Sequence, residues 1–282
     1  MSKYYTKDEL TMKQYHALDA LGNGSLVAFQ ESPAKYKWLL SAPEQPGSSK
    51  ASDFGTALHT AILEPENYKA EILTGPTKTR TAQAFEQFAA DNPDKTVLTE
   101  SEMADVEIMK GSANAHPTFS QYLSKPKDNE SSIFITCNET GLARKIRIDM
   151  NFAQYGADFI GDIKTTRSIA DWRSTMKWKN PLYAYNYGHT ASYYLDVASQ
   201  FYGREINTYI FFVVQTTIEM GKYPVEVIAI TRDELERYGF WEQMTDNLHS
   251  FAECNEFAVV SQFPDFGADD NEIEIITEDD NE

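Results

Sequence analysis

Asp149 closes an alternating apolar run, and thirteen positions further on stands the triplet Asp162-Ile163-Lys164. Side chains repeat with period two along a strand, so Asp162 and Lys164 share a face. Two carboxylates there can hold a hard divalent cation, and one ammonium can steady a nucleophile or a phosphate. Metal-dependent phosphodiester hydrolysis needs such a set: an activated water, stabilised attacking and leaving oxygens, and a phosphate held in line. Mg²⁺ keeps several waters and accepts few protein carboxylates, so Asp149 and Asp162 are the expected metal holders. The backbone carbonyl of Ile163 can add a ligand from the strand edge. Lys164 orients or helps deprotonate the attacking water, or neutralises charge on the scissile phosphate. Taken alone, a D-x-K triplet is more often a surface ion pair, because such triplets are common by chance.

The elements that must position these residues follow from the pattern around them. Residues 132–136 read as a strand and 138–141 as a turn. Residues 142–150 read as a second strand, in which Leu142, Ile146 and Ile148 interleave with Arg144 and Arg147. Gly156 breaks it, and 159–164 form a third strand. Thr165 or Ser168 caps a helix starting near Ile169. An aromatic-rich helix over 183–198, strands over 208–215 and 223–230, and a helix over 232–254 complete this half. Upstream, residues 1–20 are polar and weakly patterned, Ser25 can cap a short helix, and 43–50 is a loop of Pro, Gly and Ser. Phe54, Ala57, Leu58, Ala61 and Ile62 follow helical spacing that Pro65 helps to end. Residues 74–95 read as a mobile surface segment with an embedded polar helix, and 101–112 as another helix. The order predicts a single mixed α/β domain over 1–264, a central sheet flanked by helices, and a disordered acidic tail over 265–282.

Composition bounds the class. Of 282 residues 41% are hydrophobic and 13% aromatic, enough for a sizeable core and unlike a disordered chain. Cys137 and Cys254 are too few for a disulfide framework or an iron–sulfur cluster and fit a reducing compartment. There is no apolar run of membrane-spanning length and no charged-then-apolar leader, so a cytoplasmic location without membrane contact is expected. A net charge of −18 argues against a protein that is basic all over its surface. Residues 265–282 carry nine acids and no base, whereas 141–179 carry eight bases against four acids. This distribution predicts a locally positive channel in an acidic body, or simply a surface kept acidic for solubility.

Several blocks lift the triplet above chance. They are Gly55-Thr56-Ala57-Leu58-His59 with Leu63-Glu64-Pro65-Glu66, then Glu130-Ser131-Ser132-Ile133-Phe134, then Thr140-Gly141-Leu142 leading to Arg147-Ile148-Asp149. Asp162-Ile163-Lys164-Thr165-Thr166 follows, and the last block runs from Thr216 to Glu226. In order and spacing they resemble the RecE-type exonucleases (exonuclease VIII) of the PD-(D/E)xK nuclease superfamily, from about Ser25 to about Cys254. The resemblance implies a Mg²⁺-dependent exonuclease, with Mn²⁺ as a substitute. It would digest linear double-stranded DNA from 5′ ends and leave 3′ single strands for recombination by annealing. It also implies a ring-like homo-oligomer (trimer or tetramer), a RecT-like annealing protein as partner, and a phage or prophage module working in the cytoplasm of a bacterial host. Asp149, Asp162 and Lys164 fall on the catalytic positions, His59 on an upstream metal ligand, and Glu130 on an acidic position near the metals.

Related nucleases carry a glutamine four residues before a tyrosine in the helix after the lysine strand. His189 stands there, with Tyr193 retained. A histidine can hold a phosphate or orient a water, and it would make activity vary over about pH 5 to 8. Arg144, Lys145, Arg147, Thr165, Arg167, Arg173, Lys177 and Lys179 are further candidates for phosphate contact. Arg147 is foremost because it lies two residues before Asp149 on the same strand face, and solvated charge is the plain alternative for the other bases. Tyr183, Tyr185, Tyr187, Tyr193 and Tyr194 form core and interface packing or a stacking platform for bases. The rival readings are a structure-specific or Cas4-like nuclease, and an acidic interaction protein or DNA mimic that keeps the nuclease fold.

Overall fold

The computed structural model describes residues 2–42 and 50–256. Of the loop expected over 43–50, residues 43–49 lie outside them, as does the acidic tail, and Lys50 begins a helix. Strands are β1 Lys3–Tyr5, β2 Ile72–Thr74, β3 Thr96–Leu98, β4 Asp128–Thr136, β5 Ala143–Asn151, β6 Phe159–Thr166, β7 Thr208–Gln215 and β8 Val225–Thr231. Helices are α1 Met12–Ala17, α2 Asn23–Glu31, α3 Pro33–Ser41, α4 Lys50–Leu63, α5 Tyr68–Glu71, α6 Gln83–Asp91, α7 Glu100–Ala115 and α8 Pro117–Leu123. After β6 come α9 Pro181–Ala184, α10 Tyr187–Tyr202, α11 Arg232–Arg237 and α12 Phe240–Glu256.

The main sheet has six strands in the order β1-β4-β5-β6-β7-β8, and β2 and β3 form a separate parallel pair. Only β6 and β7 run parallel within the main sheet, so the sheet is mixed and the fold is α/β. The unbroken apolar run of β7 explains its place inside the sheet: a strand covered on both faces has no polar side to present. Phe211 and Val213 of β7 join a core with Leu26, Phe29, Leu195 and Leu248, from α2, α10 and α12. Ile210, Phe212 and Val214 join a second core with Phe54, Leu58 and Met109, from α4 and α7. The sheet therefore separates two apolar layers.

Two strands meet at one rung only, and that rung matters most. β5 and β6 pair through Met150 and Gly161 alone. A Cβ at Gly161 would lie 2.8 Å from the Phe212 ring, so only glycine fits there. Beyond the rung the strands part, and Asp149 and Asp162 are the next residues on either side of the gap.

The structure corrects several expectations. α2 starts at Asn23 behind Gly22, which leaves Ser25 inside the helix. The segment at Ile169 is a short 3₁₀ turn, Ile169–Arg173, and the Ser168 side chain makes no capping bond. The aromatic helix is broken because Asn186 takes a left-handed φ of 55°. The helix expected over 232–254 divides at Gly239, whose φ of 78° ends one helix before the next begins. The N-terminal stretch is ordered: β1 pairs with β4, and Thr11 and Gln14 form a capping box on α1. Residues 74–95 are anchored: Phe85 is buried, and Arg80 pairs with Asp53 and Glu102. No helix among the described residues is long and apolar enough to cross a membrane.

Candidate metal centre

Three acids fall on neighbouring strands at one level. The β4–β5 ladder pairs Asn129 with Met150 and Ser131 with Ile148, which sets Glu130 opposite Asp149. That rung is missing because Glu130 turns to a φ of 54°. A left-handed residue with a Cβ costs roughly 1–2 kcal/mol, and like charges facing across a ladder are destabilising as well. Strain of this kind persists where surrounding structure imposes it, and it concentrates at functional sites.

His59 holds the two acids together. The apolar stripe of α4 (Phe54, Ala57, Leu58 and Ala61) is buried in the second core, which fixes the helix rotation and turns His59 toward β5. Its Nδ1 lies 3.0 Å from Glu130 Oε1 and its Nε2 lies 2.8 Å from Asp149 Oδ2. Burial disfavours charge on the imidazole, but Asp149 and Glu130 outweigh it and raise the pKa well above the ordinary value. Burial likewise works against an ionised Asp149, yet His59 and Lys164 hold its carboxyl below the ordinary value.

Asp162 sits on the far side of the gap. Lys164 Nζ contacts both of its oxygens, at 2.9 and 2.6 Å, as the period-two spacing requires. Burial pushes the Asp162 pKa up to about 6, against the pull of Lys164 and with a further push from Asp149. The Lys164 ammonium pays for desolvation too, but Asp162 and Asp149 raise its pKa. The Ile163 N–H donates to Asp149 Oδ2 at 2.9 Å. In an extended strand the N–H and C=O of one residue point to the same side, so the Ile163 carbonyl also faces the gap.

These groups line an open cleft of about 1270 Å³, together with Arg147, Thr165, Tyr187 and Tyr194. Tyr187 and Tyr194, seven residues apart on one face of α10, were read from sequence chiefly as packing. Buried Tyr209 of β7 is a site neighbour that its apolar surroundings hid: burial, and then the charge of Asp162, raise its pKa.

Three expected phosphate contacts lie elsewhere. His189 is fully buried, with Nδ1 2.9 Å from Asn23 Oδ1 and Nε2 3.2 Å from Asn247 Nδ2. Burial lowers its pKa to about 4, and the two amides engage both ring nitrogens away from the cleft. Tyr193 is buried and donates to the Leu21 carbonyl. Arg144 is fully buried, packed on the Tyr193 ring and paired with Asp196. Arg147 lines the cleft but is committed: Nε meets Glu130 Oε2 at 2.8 Å, and another nitrogen donates to the Leu10 carbonyl at 2.9 Å. It orients Glu130. Lys145 is also buried, donating to the Tyr15 and Leu18 carbonyls. Three of the eight bases counted over 141–179 therefore point inward, and the expected positive channel is not built from them.

The donor atoms of His59, Glu130 and Asp149 lie within 4.8 Å of one another, among the described residues the group suited to a metal ion. The set is one imidazole nitrogen, several carboxylate oxygens and a carbonyl, with no thiolate: Cys137 is buried beside Arg144. Hard, oxygen-preferring Mg²⁺ or Mn²⁺ fits it, and Mn²⁺ tolerates the imidazole better. Binding would displace the His59 proton, because a ligating imidazole is neutral.

No curated protein matches the chain. Residues 23–259 match the model of a PDDEXK-like domain of unknown function (DUF3799), and the chain belongs to that family.

Proposed function

We propose that the chain is a divalent-metal-dependent nuclease that digests linear duplex DNA from its ends, in the manner of the RecE-type exonucleases it resembles. The observation that carries this reading is the convergence of Glu130, Asp149 and Asp162 at one level of β4, β5 and β6 where both ladders open, with His59 and Lys164 on either side, in a PDDEXK-like chain. His59, Glu130, Asp149, Asp162 and the Ile163 carbonyl are the groups that would hold Mg²⁺ or Mn²⁺. A divalent ion there supplies Lewis acidity toward a phosphate and a more acidic water. Arg147 fixes Glu130, the strand edge fixes Asp149, and Lys164 brings a positive charge to the place where the phosphate would carry its developing negative one. The groups that line the site among the described residues suit phosphate and metal chemistry, which supports digestion without regard to sequence.

The 5′-to-3′ direction, the 3′ overhangs, the trimeric or tetrameric ring and a RecT-like annealing partner are supported by the resemblance. The test is digestion of linear duplex and of covalently closed circular duplex with Mg²⁺ and with Mn²⁺, using separate labels on 5′ and 3′ ends. Early release of the 5′ label from the linear substrate, with the circle intact, is the expected result. Cutting of the closed circle would overturn an end-dependent exonuclease. No cutting of either substrate with any divalent ion would overturn the nuclease reading and leave an acidic interaction protein.

A further inference from the structure

Just beyond the lysine strand the chain reverses its overall charge. Residues 167–185 carry four bases and a single acid, Asp171, in a chain of net charge −18. The same stretch exposes large apolar side chains: Trp178 is 72% exposed, Tyr185 65% and Met176 52%. A folded chain normally hides such groups, since burying one contributes about 1.5–3 kcal/mol. Here the loop is folded, and it still presents them outward. Asn180 Nδ2 donates to the Trp172 and Ser174 carbonyls, and the Lys179 and Asn180 amides both donate to the Met176 carbonyl. Lys179 lies over the Trp178 ring at 4.8 Å and Lys177 over Tyr183 at 5.8 Å, so cations and rings interleave.

This surface is continuous with the cleft. The Tyr185 ring lies 5.7 Å from Tyr187, and Tyr187 lies 5.3 Å from the Lys164 ammonium. Asn186 joins the two tyrosines in a left-handed conformation, which keeps Tyr185 out of the helix and in solvent while Tyr187 faces the site. Exposed rings with cations between them, on an otherwise acidic molecule, match a polyanion that has free flat faces. Single-stranded DNA has both, whereas duplex DNA hides its base faces.

We propose that residues 174–185 bind single-stranded DNA next to the cleft, with bases stacking on Trp178 and Tyr185 and phosphates meeting Lys177 and Lys179. The inference rests on the nuclease reading for its place in a reaction but not for its test. Binding of fluorescent oligothymidylate by the full chain is measured by anisotropy in EDTA, where no cleavage is needed. Replacing both rings, Trp178→Ala with Tyr185→Ala, is expected to weaken binding by about tenfold or more. The oligonucleotide should quench indole fluorescence in the parent and clearly less in Trp178→Phe. Lys177→Ala with Lys179→Ala should reduce the slope of log affinity on log salt by about 1.4, two phosphates at ~0.7 each. Unchanged affinity in the ring variant overturns the proposal. So does a change of sedimentation with unchanged DNA binding, which would make the surface a contact between copies of this chain. If the ring variant behaves as expected but the parent cuts no DNA, only the nuclease reading fails. If the parent digests linear duplex and the ring variant binds like it, only this inference fails.

Discussion

Two histidines sit on two helices that pack on the sheet: His59 lines the open cleft, and His189 is fully buried. His59 of α4 lies between two carboxylates, and its pKa rises. His189 of α10 lies between two amides, and its pKa falls to about 4. Desolvation penalises the imidazolium in both places. The charges that the fold brings alongside decide the sign. One neighbourhood is built to hold positive charge, whether an imidazolium or a metal ion, and the other is a neutral hydrogen-bonded buttress between α2, α10 and α12. The comparison teaches that burial does not mark a functional histidine; unmatched acid around it does.

The largest test of this contrast is Asp162→Asn. It keeps the shape of the carboxylate and removes its charge, and cleavage of linear duplex should fall by about 10³-fold or more. Circular dichroism should show a folded chain. A variant that keeps its rate would mean that the centre lies elsewhere.

Next comes His189→Ala. Both amides would lose a partner and a buried ring would leave a void, so unfolding in urea should require about 3 kcal/mol less. Metal-dependent activity per folded molecule should stay near that of the parent, and a specific loss of rate would return His189 to the site.

The same residue sets a pH response. Its folded pKa of about 4 lies below the ordinary 6.5, so between these values the unfolded chain binds a proton that the folded one excludes. Stability from a neutral His189 is thus complete above about pH 6.5 and is lost as pH falls toward 4, to a total of about 3 kcal/mol. His59 and Asp162, with raised pKa values, contribute in the opposite sense. The measurement is therefore the difference between parent and His189→Gln denaturation curves over that range. A difference independent of pH would break the contrast.

The smallest effect belongs to His59→Ala. Mn²⁺ affinity by calorimetry should weaken by about tenfold or more, and proton release on binding should shrink. Unchanged affinity would take His59 out of the centre.

Much of this was legible residue by residue. The apolar run of β7 and the alternation of β5 predicted strands, because their patterns leave no other way to hide so much apolar surface. The D-x-K spacing fixed a shared face by the strand period alone, and Lys164 lies on Asp162 accordingly. The apolar stripe of α4 predicted a helix, and packing that stripe inward turns His59 toward the acids. Helix ends were less legible, since a single left-handed residue such as Asn186 divides a continuous pattern without changing its composition.

What the sequence could not decide was which charges meet. Arg144, Lys145, Arg147 and Lys164 are alike as bases along the chain. Tertiary structure sends Arg144 to Asp196, Lys145 to backbone carbonyls, Arg147 to Glu130, and only Lys164 to the mouth of the gap. His189 and His59 are separated in the same way. Local pattern determines secondary structure because it depends on neighbours a few residues away. The state of an ionisable group depends on desolvation and on partners tens of residues distant, and only the packed fold supplies those.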